Sequence, residues 1–319
     1  MSVCCSILRQ EENGLKIDMI KHSEWAGTKF TLHLLSQILG KIKLETAQQE
    51  PQWAHVALDV TADGFSTGLL FTHDHVFQVD VDIQNSRILV NADGDTQSIG
   101  LEPSRSIKWY YDEIFSALSS RGIDLKINPK PQEMAYTTPL NEDDTPLEFD
   151  QQMAMKGLRL FQFALLEQRK FVAPMRCRKM KPALFWGTFD VSLLILPGIM
   201  EPFPEDRVIE KAAFDEQMIE YGFWLGDEQT DIPAFFVLPY PFQYKDLNSP
   251  SIKPTEAFYD ETKSEYFLLL DAVAAKENPS EDIQQFFRST FDTLAAELGW
   301  QGCDYYFTPL KMKEQVSWN

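Results

Sequence analysis

The chain has 319 residues, of which 44 % are apolar and 13 % aromatic, so it can bury a sizeable core as one large domain or two ordinary ones. It carries 48 acidic against 29 basic residues, for a net charge of −19. Such a charge repels phosphate backbones and anionic lipids, and no cluster of Lys and Arg reverses it locally. Composition therefore argues against nucleic acid and membrane surfaces as partners.

The cysteines and the apolar stretches point to a soluble cytoplasmic protein. The four cysteines, at positions 4, 5, 177 and 303, lack C-x-x-C spacing, which argues against a disulfide framework or a zinc ribbon. The first twenty residues have no basic start followed by an apolar run. The longest apolar stretch, residues 183–200, contains Asp190 and Pro197, which are costly in hydrocarbon.

The first half of the chain reads as a helix, a meander and a second helix. Residues 1–23 are polar and unpatterned and are predicted to be a disordered N-terminal extension. In the half at 24–127, apolar spacing predicts a helix over 30–44, and antiparallel strands with Asx-Gly and Asn-Ser turns follow between 56 and 101. A helix closed by Gly122 and a short strand at 123–127 complete this half.

The second half follows a proline-rich acidic connector at 128–149. The half at 150–300 begins with a helix to about 171, capped by Asp150. The pattern then predicts a strand at 184–196, a helix at 205–221 stopped by Gly222, strands at 234–238 and 266–270, and a final helix at 280–298. Residues 301–319 are a tail.

The predicted fold class is α+β, with two similar halves that each hold a mostly antiparallel sheet flanked by helices. The tetrapeptides LDVT (58–61) and FDVS (189–192) begin comparable strands, which suggests an internal duplication. If the halves are related in this way, a site would lie in a cleft between them.

Three separated motifs carry a family resemblance over about residues 25–300. They are FWGTFD (185–190), GFWLGD (222–227) and the L-H-x-x-x-Q-x-x-G-K pattern of 32–41. Together they resemble DUF5996, a bacterial family of unknown function, so the resemblance implies no activity and no cofactor. Family members usually have His where this chain has Leu184 and Glu216, and S-G-R where it has residues 196–198. If those groups formed a histidine-based active site, this chain has lost part of it.

The helix motif places four residues on one stripe. At 100° per residue His33, Gln37, Gly40 and Lys41 fall within an arc of about 100°. A solvated helix face would explain the three polar side chains. Gly40 costs a helix interior about 1 kcal/mol relative to alanine and often marks the close approach of another backbone or a ligand. The stripe is therefore a candidate for a site.

Other histidines offer weaker candidates. His55, in W-x-H before the first strand, could act as a general base or metal ligand, or could be bonded to a backbone carbonyl at the core edge. His73 and His75 are spaced to share a metal on a strand, but they fall at an apparent hairpin turn, where polar residues are ordinary. We predict no metal site.

The aromatic motifs supply the remaining candidates. Asp190 lies in an apolar stretch, where a carboxylate must be paired, hydrogen-bonded or protonated, unless strand alternation turns it to solvent. Trp186, Phe223 and Trp224 are predicted walls of a small-molecule pocket, although aromatic rings also fill cores.

These candidates give three functional hypotheses. The favoured one is binding of a small organic molecule in an aromatic-lined cleft between the halves, with orienting polar groups from His33, Gln37, Lys41, His55 and Asp190. The alternative is a hydrolase or lyase in which His33 or His55 is the base and Asp190 its partner. A second alternative is an assembly or scaffold protein whose exposed aromatic rings meet another chain. G-x-S-x-G, P-loop and G-x-G-x-x-G motifs do not occur, which disfavours serine-hydrolase and nucleotide-dependent chemistry.

Overall fold

A computed structural model describes residues 8–11 and 14–308. The strands are β1 (Leu8–Glu11), β2 (Gly14–Ile17), β3 (Asp59–Val60), β4 (Gly64–Ser66), β5 (Leu70–Phe71), β6 (Val76–Asp82), β7 (Arg87–Ala92), β8 (Asp95–Gly100), β9 (Arg178–Phe185), β10 (Asp190–Leu196), β11 (Met218–Trp224), β12 (Ala234–Tyr240), β13 (Phe258–Asp260) and β14 (Glu265–Leu269). The α-helices are α1 (Ala26–Thr46), α2 (Ile107–Ser119), α3 (Gln151–Val172), α4 (Val208–Ala213), α5 (Leu270–Ala274) and α6 (Pro279–Glu297). None of these helices is long and apolar enough to cross a membrane.

Each half of the chain contributes an antiparallel sheet. The first sheet has the order β3-β4-β6-β7-β8, with β5 paired to β6. The second sheet has the order β13-β14-β12-β11-β10-β9. The predicted α+β class, with a helix-flanked sheet in each half, is confirmed. The internal duplication stays a prediction.

The two sheets meet along one short seam. Leu58 and Leu184 exchange two backbone hydrogen bonds of 2.8 Å, which places β3 beside β9. One continuous apolar cluster extends from the first sheet through α1 and α3 to α6. Because the halves share this core, α1 contacts elements of both: α2 on one side and α3 on the other.

Strand alternation gives the second sheet two different faces. The inner face packs against α3 and α6; Tyr221, for example, lies 5.0 Å from Phe171 and 5.3 Å from Phe287 between ring centroids. The outer face carries the alternate residues of the same strands. A separate small apolar cluster that includes Leu194, Met218 and Tyr240 covers part of it.

The predicted helix over 205–221 is wrong. Only α4 is helical there, and β11 follows it, so Gly222 lies inside a strand rather than at a helix end. Ile219, Tyr221 and Phe223 face the core with a period of two. The outward residues Met218 and Trp224 are also apolar, and this concealed the alternation.

The predicted strand at 184–196 is two strands joined by a tight turn. β9 and β10 pair antiparallel, and Phe189 in the turn has φ 59°. The turn was concealed because its aromatic side chains, Trp186 and Phe189, are buried. The predicted strand at 123–127 does not form, although Ile123 and Ile127 are buried.

The chain ends differ in part from the prediction. β1 and β2 form a hairpin within the stretch predicted to be disordered, Ile20 is buried, and the His22 backbone N–H donates to the Asp231 carbonyl at 2.9 Å. Residues 1–7 and 12–13, which include Cys4 and Cys5, lie outside the described residues. In the predicted tail, residues 303–307 form a 3-10 turn, and residues 309–319 lie outside the described part.

Candidate functional site

The polar stripe of α1 holds the turn between β9 and β10. His33 Nε2 lies 3.1 Å from the Trp186 carbonyl oxygen and 2.9 Å from that of Gly187. Gln37 Nε2 donates to the same Trp186 oxygen at 3.2 Å. Burial lowers the pKa of His33 to about 4, so the ring is neutral at pH 7 and its Nε2–H donates to both carbonyls. The stripe and the tryptophan turn are therefore adjacent, and none of the residues His33, Gln37 and Trp186 lines the cavity that contains Asp190.

The contact between stripe and turn is tight packing. A Cβ on Gly40 would lie 2.2 Å from the Trp186 ring, the ring is 3 % exposed, and its Nε1–H donates to the Val56 carbonyl at 3.1 Å. Lys41 Nζ lies 5.4 Å from the ring centroid and donates to Gln132 Oε1 at 2.9 Å. Gln37, Lys41 and Trp186 thus pack together with their neighbours at this contact, and their ligand-binding roles stay predictions.

The other two predicted aromatic wall residues, Phe223 and Trp224, lie on opposite faces of the second sheet. Phe223 is fully buried on the inner face, with its ring centroid 4.8 Å from that of Phe235, so it belongs to the core. Trp224, its neighbour in the chain, points to the outer face and lines a cavity there. Because Trp186 and Phe223 are buried, neither offers a surface to another chain.

The histidine candidates lie elsewhere. His55 Nδ1 accepts the Glu50 backbone N–H at 3.1 Å, and burial lowers the pKa of His55. His73 and His75 pair with different partners, at 2.7 Å to Asp74 and 2.6 Å to Asp93. None of these histidines, nor His33, lines the cavity that contains Asp190. In the described part of the chain no group of three or more His, Cys, Asp or Glu side chains is arranged to hold a metal ion.

A cavity of about 470 Å³ lies on the outer face of the second sheet. Its lining residues are Gln52, Glu133, Phe185, Thr188, Asp190, Leu194, Ile209, Glu210, Ala213, Phe214, Met218, Glu220, Trp224, Asp227, Phe236, Leu238, Lys263, Glu265 and Phe267. Most belong to the second half, while Gln52 precedes the first sheet and Glu133 comes from the connector. The cavity is therefore built on one sheet, with an edge supplied by the rest of the chain.

The sheet presents these residues through its register. Asp190 lies opposite Trp224 on neighbouring strands, and Gly222 lies opposite Phe236. A Cβ on Gly222 would lie 1.9 Å from Phe236 Cζ, so the Phe236 ring lies flat over the glycine. This glycine in mid-strand therefore makes room for an aromatic wall.

The second aromatic motif also fixes the loop that follows β11. Gly226 has φ +77°, and a Cβ there would lie 2.7 Å from the Thr230 carbonyl oxygen. Asp227 Oδ1 accepts the backbone N–H groups of Gln229 and Thr230, both at 2.8 Å. These contacts hold Trp224 and Asp227 at the cavity wall.

Asp190 is the most buried acid of the cavity. It is 5 % exposed, and its carboxylate accepts hydrogen bonds from the hydroxyl groups of Thr188 and, at 2.7 Å, Ser192. Burial raises the pKa of Asp190, and the two hydroxyl donors oppose that shift. Of the two alternatives for Asp190, the structure shows the buried one, with hydroxyl groups as its hydrogen-bond partners.

Three further carboxyls face the same space. Burial and the charge of Asp190 raise the pKa of Glu220 to about 8. Burial also raises the pKa of Glu265 to about 7, with a smaller contribution from Asp190. Glu133 is exposed as a residue, but its carboxylate lies against Gly187, and desolvation there together with Asp190 raises its pKa to about 7. The cavity thus holds three carboxyls whose pKa values are raised to near neutral pH.

The sequence hypotheses missed Glu133, Glu220 and Glu265. Glu220 stands between Ile219 and Tyr221 in a strand, the same signal that marked Asp190, but the predicted helix over 205–221 concealed this alternation. Glu265 precedes a strand and resembles an ordinary surface residue. Glu133 lies in the connector, and nothing in its local sequence indicates a site.

Two of the three departures from the family pattern, Leu184 and Glu216, have defined structural partners. Leu184 is fully buried and forms the seam with Leu58. Glu216 is buried, accepts the Gly198 backbone N–H at 2.6 Å and lies 3.3 Å from Arg178 Nη1. Neither residue lines the cavity.

Fold and site together define an α+β protein with an acidic, aromatic-walled cavity on one sheet. The sequence profile of DUF5996, described as a family of unknown function, matches residues 18–305. The chain therefore belongs to this family. Comparison with curated proteins and with solved structures gave no match.

Proposed function

We propose that the protein binds a small organic molecule in the cavity on the outer face of the second sheet. The observation that carries this proposal is the composition of that cavity: aromatic rings from Phe185, Trp224 and Phe236 surround a few inward polar groups within about 470 Å³. Volumes of about 300–1,000 Å³ with such a lining are typical of small-molecule sites.

The packing around the turn supports the same proposal. His33 and Gln37 fix the backbone that precedes Asp190, and both side chains are themselves held in place by packing. A rigid wall that keeps its polar groups in position before the ligand arrives lowers the entropy cost of binding.

The proposal is tested with a metabolite panel and thermal unfolding. A compound that binds only the native state at a concentration of about 100 Kd adds about 2.7 kcal/mol to the unfolding free energy. At least one panel compound should raise the Tm of the wild-type protein. Native mass spectrometry of the untreated protein checks for a carried-over ligand.

Two substitutions in α4 show where the compound binds. Ala213 lines the cavity, whereas its neighbour Ala212 does not. Ala213→Trp should fill part of the cavity and abolish the stabilisation, while Ala212→Trp should keep it. If every compound that raises Tm acts equally on both variants, or if no compound acts at all, the proposal fails.

A second candidate is an acid–base enzyme that uses carboxyls rather than imidazoles. It is favoured by Glu220, whose pKa of about 8 suits a general acid at neutral pH. His33 and His55 are not part of this candidate mechanism, since each bonds to backbone groups and neither lines the cavity. If a bound compound is converted during incubation, Glu220→Gln should retain binding and lose the conversion; unchanged compound after prolonged incubation counts against this role.

An assembly role would need exposed apolar side chains. Among the described residues, three exposed apolar side chains lie close together in sequence at β5 and β6. They are Leu69, Phe71 and Val76, which are 64 %, 61 % and 42 % exposed. They do not belong to the aromatic motifs that suggested a scaffold. Light scattering at micromolar concentration, with Phe71→Ser as the variant, tests this alternative.

A further inference from the structure

We propose that the ligand of this cavity is a small organic cation, a molecule that carries a primary or quaternary ammonium group on an apolar body. This inference rests on the proposed function and names the chemical class of its ligand. Three observations on the cavity carry it.

The first observation is a buried carboxylate without a cation. Asp190 is 5 % exposed, and its partners among the described residues are the hydroxyl groups of Thr188 and Ser192. A buried carboxylate that lacks an opposite charge is costly. Because Asp190 lines the cavity, an ammonium group that enters can supply the missing charge.

The second observation is the balance of charge along the lining. Six lining residues are acidic, namely Glu133, Asp190, Glu210, Glu220, Asp227 and Glu265, and Lys263 alone is basic. An anionic ligand would further disfavour the ionised form of these carboxyls, whereas a cation would favour it. The cavity therefore selects against anions as well as for cations.

The third observation is that one wall already holds an ammonium group. Lys263 Nζ lies 5.2 Å from the centroid of the Phe267 ring, within the range of a cation–π interaction. Trp224 and Phe236 line the same space, and tryptophan is the best ring for such contacts. Rings beside carboxylates are the arrangement that recognises organic ammonium groups.

The inference is tested by three probes of similar size and different charge. Isothermal titration with benzylammonium, benzyl alcohol and benzoate measures the effect of charge on one ring system. We expect benzylammonium to bind about tenfold or more tightly than benzyl alcohol, and benzoate to bind most weakly. Tetramethylammonium and putrescine extend the comparison to cations without a ring.

Two isosteric variants test whether benzylammonium binds beside the acids of the cavity. Asp190→Asn and Glu220→Gln remove one potential negative charge each with little change in volume. At about pH 8.5, above the pKa of about 8 of Glu220, each should weaken benzylammonium binding about tenfold. Glu228→Gln is the matched control, because Glu228 is 87 % exposed and outside the lining. If Asp190→Asn does not fold, Glu220→Gln and Trp224→Leu still test the site, because both residues line the cavity and each variant should weaken benzylammonium binding.

Titration with pH gives an independent readout. The charge of tetramethylammonium does not change with pH, so its affinity should rise as Glu220 ionises near pH 8. Glu133, Asp190, Glu265 and Lys263 face the same cavity, and the three acids among them act in the same direction. The rise should be smaller in Glu220→Gln.

The outcomes separate the two proposals. If benzyl alcohol or benzoate binds as tightly as benzylammonium, the inference on ligand charge is overturned while a small-molecule site remains. It is also overturned if Glu228→Gln weakens binding as much as Glu220→Gln, since that result indicates general attraction to an acidic protein. If no probe and no panel compound binds, both proposals fall.

Discussion

The Trp186 ring lies against Gly40 so closely that a methyl group on residue 40 would be 2.2 Å from it. Gly40→Ala should therefore force the ring or α1 to move, and overpacking of this kind costs about 1–3 kcal/mol of unfolding free energy. Urea denaturation followed by circular dichroism measures the loss. Gly100→Ala is the control, because its Cβ would meet only the Glu102 side chain, at 3.3 Å. Equal stability of the two variants would contradict the packing described.

Gly222 and Phe236 should show coupled effects. Gly222→Ala places a Cβ 1.9 Å from Phe236 Cζ and should destabilise the protein by about 1–3 kcal/mol. Phe236→Leu shortens the side chain, so the double variant should lose less stability than the sum of the single losses. Chemical denaturation of all four proteins gives the coupling free energy. Strict additivity would mean that the ring does not lie over the glycine.

The titration of His33 should make the protein less stable as the pH falls below about 6.5. Its folded-state pKa of about 4 lies below the value of about 6.5 expected in the unfolded chain. The unfolded state therefore binds the proton first, and the contribution of His33 to stability is present above pH 6.5 and is lost as the pH falls towards 4. Gln at this position keeps an N–H donor but does not titrate.

The stability difference between wild type and His33→Gln, measured by urea denaturation, should thus shrink from pH 7 to pH 4.5. His33→Ala removes one donor to the Trp186 and Gly187 carbonyls and leaves Gln37 as their remaining side-chain donor. It should cost about 1 kcal/mol or more at pH 7. A difference between wild type and His33→Gln that stays constant across this range would show that His33 is not buried in the neutral form.

Glu220 should lower the stability of the protein as the pH rises, whereas His33 should lower it as the pH falls. Its folded-state pKa of about 8 is above the value of about 4.3 in the unfolded chain, so the folded state holds the proton longer. Its contribution to stability is therefore lost as the pH rises from about 4.3 through 8, with a limiting slope of about 1.4 kcal/mol per pH unit. Glu133 and Glu265 add to this trend.

Glu220→Gln should flatten the decline between pH 6.5 and 8.5 and should be more stable than wild type at pH 8.5. Thermal unfolding in buffers of constant ionic strength measures both effects. Glu228→Gln, on the exposed loop, should follow the wild-type curve. A Glu220→Gln curve parallel to that of wild type would indicate that Glu220 is ionised throughout.

The fold was predictable where strand or helix patterns were undisturbed. The meander around β6 alternates apolar and polar residues, and its turns carry Asn or Asp. α3 was found from its Asp150 cap, which accepts the backbone N–H of Gln152 at 2.8 Å. β11 was missed because both of its faces are partly covered, so periodicity gave no clear signal.

The candidate site was predictable only in part. Asp190 stood out as an acid in an apolar run, and Trp224 as part of a motif. Gly40 correctly indicated close approach, but what approaches is Trp186 rather than a ligand. Glu133 and Glu265 reach the cavity through tertiary structure alone, because α3 and five of the six strands of the second sheet lie between them in the sequence. Local sequence cannot indicate such a meeting.

The arrangement of α1 has a consequence for any shortened form of this protein. Its side chains come from the first forty residues or so, yet they hold the backbone of a hairpin that starts beyond residue 178. A fragment that began at α3 would lose the donors for the Trp186 and Gly187 carbonyls and the surface on which the indole rests. The cavity would then lack one fixed edge, and we expect such a fragment to leave the turn and Asp190 less firmly placed.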